Sequence, residues 1–148
     1  MLFLSRYPVL ASLLLCGAVF AAQDNQLVIQ DQNSSKALGR VFSLDYVSDG
    51  SAVGLQIRVK ADGLNKRGLD LSKCLADLPK SHVGTCKLTD AGEILVLVYS
   101  GSNAALPAGL VSIGTVAMQG KAQGPLVVSE LLVADKNANP IRATSIVE

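Results

Sequence analysis

Tryptophan is absent from this chain, and tyrosine and phenylalanine number three each. Phe3, Tyr7 and Phe20 fall in the first 22 residues, so only Phe42, Tyr46 and Tyr99 remain beyond them. Sugar-binding surfaces lean on flat rings offered to solvent, because the apolar face of a sugar stacks on them at little ordering cost. So few rings weigh against a sugar-binding role. Histidine is nearly absent too: His82 stands alone, beside Ser81, in a segment read as an exposed loop. Adjacent Ser and His do not make a triad, since the two must converge through the fold and be oriented by a third group. Glycine-rich phosphate loops and metal-spaced His and Cys sets are also missing. Catalysis is therefore not expected, and no cofactor is required. Excess charge is lacking as well, with 13 Lys and Arg against 12 Asp and Glu. Without such an excess, neither nucleic acid nor an anionic membrane is an expected partner.

The longest apolar run, residues 9–20, comes early and follows Arg6, with Ala21 and Ala22 after it. A basic start, a short apolar core and small residues at the end are the layout of a secretory signal peptide. Residues 1–22 are expected to be removed, leaving residues 23–148 as one secreted or periplasmic domain with no membrane span. Cys16 follows a run of leucines, whereas a lipoprotein signal wants a small residue there. Two cysteines remain after cleavage, Cys74 and Cys86. An even count in an oxidising compartment suggests a disulfide.

What the chain has in quantity is alternation. In residues 39–60, Phe42, Leu44 and Tyr46 share one side of a first run, and Val53, Leu55, Ile57 and Val59 one side of a second. Period-two patterning marks half-buried strands. Residues 48–51, Ser-Asp-Gly-Ser, are read as the turn of a hairpin between them. Leu27, Val28 and Ile29 suggest a short edge strand, and residues 94–98 a strand apolar on both faces, either buried on both or lying mid-sheet beneath a covering segment. Leu71, Leu75 and Leu78 have helical spacing, which allows one helical turn pinned by Cys74. Further strands are expected over residues 110–118, 126–134 and 141–147, with turns between them. Short strands, frequent turn signals and almost no helical pattern indicate an all-β sandwich. Asn33-Ser34-Ser35 fits the N-glycosylation pattern, which is short enough to arise by chance.

The order of these features resembles that of cohesin domains. The resemblance rests on GRVFSLDYVSDGSAVGLQIRVKADGLN from Gly39, then on the strand from Glu93 to a small-residue loop, GLVSI from Gly109, a Gly-Pro turn, and ADKNANPI from Ala134. It covers residues 38–148 and extends to the family-3-like carbohydrate-binding superfamily. It implies a nine-stranded jelly-roll sandwich and non-catalytic binding. Cohesins present a sheet face to a calcium-loaded helical dockerin, and their relatives bind polysaccharide. The chain departs from the cellulosomal pattern as a lone domain with a Cys74 to Cys86 pair.

Three sets of residues are candidates for a site. Gln56, Arg58 and Lys60 on the wet side of their strand, with Tyr46 and Tyr99, are candidates for partner contact. Asp135, Asn137 and Asn139 form D-x-N-x-N, a weak calcium candidate, since Pro140 stands where a calcium loop has glycine and no closing glutamate follows. A hairpin turn explains the same residues. The expected partner is a protein, dockerin-like or of the cell envelope, and polysaccharide is the alternative. A structural subunit of an envelope or secretion assembly is another, pairing through the edges of residues 126–134 and 141–147.

Overall fold

In the computed structural model, residues 24–32, 39–119 and 124–148 are described. The expected signal peptide, Cys16 and the glycosylation pattern at Asn33 lie outside them. The strands are β1 (Gln26–Asp31), β2 (Arg40–Ser48), β3 (Gly54–Lys60), β4 (Leu69–Asp70), β5 (Val83–Leu88), β6 (Ile94–Tyr99), β7 (Gly109–Met118), β8 (Val127–Ala134) and β9 (Thr144–Val147). Among the described residues there is no helix. The strands form two sheets, one ordered β4-β7-β2-β1-β9 and the other β5-β6-β3-β8. This is the all-β sandwich expected from the sequence.

Alternation creates the core. Leu27 and Ile29 of β1 and Phe42, Leu44 and Tyr46 of β2 face Leu55, Ile57 and Val59 of β3 and Val96 and Val98 of β6, all of them buried. Truncating any one of the large residues to alanine would cost about 2–5 kcal/mol.

Residues 39–60 are not a hairpin. β2 pairs with β1 and β7, whereas β3 pairs with β6 and β8, so the two runs lie in different layers and meet across the core. Two strands whose apolar sides both need cover can satisfy them against each other, and crossing between sheets does this better than pairing side by side. The crossing is tied locally: Ser48 Oγ accepts the Gly50 N–H at 3.0 Å and Asp49 Oδ1 accepts the Ser51 N–H at 2.8 Å.

Three other expectations change. β1 is not an edge, because β9 pairs parallel to it on the far side. Residues 71–78 form successive turns in place of a helical turn, with Cys74 N–H bonding Leu71 O and Ala76 N–H bonding Lys73 O. They lie directly on β7, where Thr115 N–H donates to Lys73 O at 2.9 Å and Asp77 N–H to Ile113 O at 3.1 Å. Gly114 permits that approach, since a Cβ there would sit 2.3 Å from Lys73 O. Lastly, β6 is buried on its inner side only, and its outer residues Leu95 and Leu97 are half-buried on a sheet face that no described segment covers.

The disulfide is present. Cys74 of the turn segment and Cys86 of β5 are bonded, with their Cα atoms 6.3 Å apart. It staples the turn segment, itself hydrogen-bonded to β7 of one sheet, to the edge strand of the other.

Candidate functional site

The outer face of β5-β6-β3-β8 has two parts. The first is a cluster of charge. Arg58 Nε lies 2.7 Å from Glu130 Oε2 and its Nη1 3.2 Å from Glu93 Oε2, while Lys60 Nζ lies 3.0 Å from Glu93 Oε1. Gln56 Nε2 also donates to Glu130 Oε2 at 2.7 Å, and Ser129 Oγ to Glu93 Oε1 at 3.2 Å. Register explains part of this, because Arg58 stands opposite Glu130 in the β3 to β8 pairing, next to the irregularity between Arg58 and Val59. Hydrogen bonds from Lys60, and then Arg58, hold the Glu93 carboxyl below the usual range. Gln56 and Arg58 do the same for Glu130, and Glu130 in turn holds the Arg58 guanidinium up.

The second part is apolar. Gly54 stands between Tyr99 of β6 and Ala134 of β8, and having no side chain it leaves a dip in the sheet surface. A shallow groove of about 450 Å³ lies there, with Gln56, Leu97, Tyr99, Leu132 and Pro140 among its walls. Tyr99 is 48% exposed and Leu132 54%. Val83, directly opposite Tyr99 in the β5 to β6 pairing, is 53% exposed. Charges that satisfy one another beside an uncovered apolar groove suit the centre and rim of a protein contact.

Gln56, Arg58, Lys60 and Tyr99 are thus brought together on one face. Tyr46 is not. It is fully buried between the sheets, its hydroxyl donating to Asn25 Oδ1 at 2.8 Å, and burial pushes its pKa up. The alternation that put it beside Leu44 made it core, so it offers nothing to a partner. His82, read as an exposed loop residue, is also buried, at 4% exposure. Its Nδ1 lies 3.0 Å from Ser81 Oγ, but among the described residues its Nε2 has no hydrogen-bond partner, so none of their carboxylates orients the ring. Burial holds its pKa down. Asp135 spends its carboxylate on the turn: Oδ1 accepts the N–H groups of Asn137 and Asn139, each at 2.8 Å, and Oδ2 accepts Asn139 Nδ2 at 3.2 Å.

The sequence reading passed over Glu93, Glu130, Gly54, Val83 and Leu132. Glu130 and Leu132 were visible as the alternate members of an otherwise apolar strand, but their place opposite Arg58 and Gln56 depends on a pairing that alternation does not specify.

No protein-family model matches this chain, and no curated protein matches it. Solved structures do. A type II cohesin in a cohesin-X-dockerin complex from Acetivibrio cellulolyticus superimposes with a TM-score of 0.58 at 10% identity, over 84% of this chain and 96% of that one. A type I cohesin from Pseudobacteroides cellulosolvens gives 0.59 at 11% identity, over 84% and 87%. A non-cellulosomal cohesin from the hyperthermophilic archaeon Archaeoglobus fulgidus gives 0.57 at 10% identity, over 84% and 86%. Strand order, sheet pairing and these superpositions together establish that the chain carries a cohesin-like β-sandwich fold.

Proposed function

We propose that the domain is a non-catalytic, exported protein-binding module that presents the outer face of β5-β6-β3-β8 to its partner. The observation that carries this is the groove over Gly54, walled by exposed Tyr99 and Leu132 and bordered by charges already paired with one another. Apolar area of this kind yields binding energy when covered, whereas the compensated Arg58, Glu93 and Glu130 give orientation and specificity. Solved cohesins of the same fold are seen in complexes with dockerins, which supports a dockerin-like or envelope protein as partner. Export is supported by the layout of residues 1–22 and by the disulfide, which persists in oxidising compartments.

Polysaccharide binding is less well supported. Phe42 is buried, with Arg40 stacked on its ring at 4.6 Å, and Tyr46 is core, so among the described residues Tyr99 is the single ring on the face. The test is isolation of the native partner by co-purification, followed by titration against purified variants. Leu132→Asp should weaken binding at least about tenfold, the scale of losing one central apolar contact. Unaltered binding by that variant, or retention on insoluble polysaccharide that Tyr99→Ala abolishes, would go against the proposal.

A further inference from the structure

Among the described residues, one buried side-chain nitrogen or oxygen lacks a hydrogen-bond partner, and it is Nε2 of His82. Buried polar atoms are ordinarily paired, so an unpaired one calls for a reason. The other ring nitrogen, Nδ1, meets Ser81 Oγ at 3.0 Å. The backbone N–H of His82 donates to Pro79 O at 2.9 Å, which closes a tight turn over residues 79–82.

Strand parity locates the ring. Val83, Tyr99, Gly54 and Ala134 stand side by side as one row across β5, β6, β3 and β8. That row ends the sheet, and Tyr99, Gly54 and Ala134 in it line the groove. His82 precedes Val83, and Val53 precedes Gly54. Successive residues of a strand turn to opposite faces, so His82 and Val53 turn inward, where both are buried. The ring therefore lies behind the end of the groove, one residue from its rim.

Few charges meet at this corner. Asp77 and Lys80 on the segment leading to the ring, Asp49 on the crossing before Val53, and Lys87 further along β5 are all exposed. Residues 94–108, from β6 through the loop after it, carry no charge, and Tyr99 there points outward. In the turn after β8, Lys136 is exposed and Asp135 is bonded to its own turn. None of these acts on the ring. Burial lowers its pKa, and the Val53 carbonyl, near but not in hydrogen-bonding geometry, opposes this with a smaller effect. A charged imidazole has two N–H donors, and only the one facing Ser81 has an acceptor here. Holding the second donor and the charge away from water is costly. Residues 79–82 are held by little, since the bond from His82 N–H to Pro79 O is the one backbone hydrogen bond within their turn.

We propose that His82 is an acid-sensitive latch on the groove: once protonated, its ring leaves the interior together with residues 79–83, Val83 parts from Tyr99, and the Tyr99 and Gly54 end of the groove loses its support. The Cys74 to Cys86 bond confines the opening, because it holds the rest of β5 to the turn segment. A docked partner is then held less tightly in acid, a consequence that rests on the docking face proposed above. Local opening of this kind, with the core intact, is how a single titrating imidazole biases a two-state element.

Amide NMR of the isotope-labelled protein from about pH 7.5 to about pH 5, with the His82 ring followed in the same samples, tests this; Glu93 and Glu130 stay charged over that range. The ring should titrate below its ordinary value of about 6.5. Between that value and the native one, the open fraction of the Val83, Tyr99 and Gly54 row, from amide exchange corrected for intrinsic rates, should rise up to about tenfold per pH unit. Phe42 and Leu44 of the other sheet should stay protected in that opening. His82→Phe and His82→Leu, which both fill the site with an apolar group, should lose the dependence. The affinity of the purified partner should fall over the same range for the parent and stay level for whichever variant melts like it. A ring that titrates while the row stays closed, a row that opens in both variants as it does in the parent, or an affinity lowered by Leu132→Asp yet level in acid would overturn the proposal. An affinity untouched by Leu132→Asp would instead defeat the docking face, and the amides would still decide whether the latch exists.

Discussion

Arg58 of β3 and Glu130 of β8 stand opposite each other in register, and the guanidinium Nε meets the carboxylate Oε2 at 2.7 Å. Gln56 reaches the same oxygen, and Arg58 extends to Glu93, which Lys60 also holds. The charges on this face are thus largely spent on each other. What remains unsatisfied there is apolar, and that directs attention to Tyr99 and Leu132.

The carboxylates should govern the acid limb of stability. Their native pKa values lie below the usual range, so their contribution is present above the unfolded value of about 4.3 and is lost as pH falls through the depressed native values. The thermal midpoint, followed by calorimetry, should drop below about pH 4.5, and the drop should shrink in Glu130→Gln. A midpoint indifferent to acid would contradict this assignment.

His82 acts in a second window. Burial depresses its native pKa, so the unfolded chain takes up its proton first, near pH 6.5, and stability falls as pH drops from there towards the native value. Replacing His82 with leucine should flatten the fall of the midpoint as pH drops below about 6.5 while leaving the carboxylate limb in place.

Reduction of the Cys74 to Cys86 bond, or its replacement by two alanines, should cost about 3 kcal/mol for a loop of this length. That corresponds to a midpoint lowered by roughly 10 °C for a domain of this size. Unchanged melting with and without reductant would mean that the staple contributes nothing.

Tyr46→Phe should cost about 1 kcal/mol, because it removes the hydroxyl that donates to Asn25. Binding should be unaffected, since the ring never reaches the surface. Gly114→Ala should cost more, about 3 kcal/mol, as the added carbon meets Lys73 O and cannot be accommodated without moving the turn from β7. Chemical denaturation of the two variants side by side checks both magnitudes.

Much of the sandwich was legible in the sequence because alternation reports which side of a strand is apolar, and Phe42, Leu44, Leu55 and Ile57 fell where the pattern put them. Alternation does not report which strand lies alongside. It therefore could not show that β2 and β3 cross between sheets, that β9 covers β1, or that Glu130 faces Arg58. Tyr46 and Tyr99 are one residue type with opposite placements. The first alternates with the inward residues of β2, whereas the second ends β6 on its outward row, and that parity distinguishes them without a structure. His82 was misplaced because a polar residue in a loop beside a disulfide reads as exposed, and only the packing of that loop buries it.

The central claim is that binding resides on the outer face of β5-β6-β3-β8. Its most direct test is the affinity of the purified native partner, by isothermal titration, for Leu132→Asp on that face and for Leu110→Asp, an equally surface-bound leucine of the other sheet that is 71% exposed. A loss of at least about tenfold for Leu132→Asp with none for Leu110→Asp, both variants melting like the parent, is the expected result. The reverse pattern would place the contact on the opposite sheet and contradict the account.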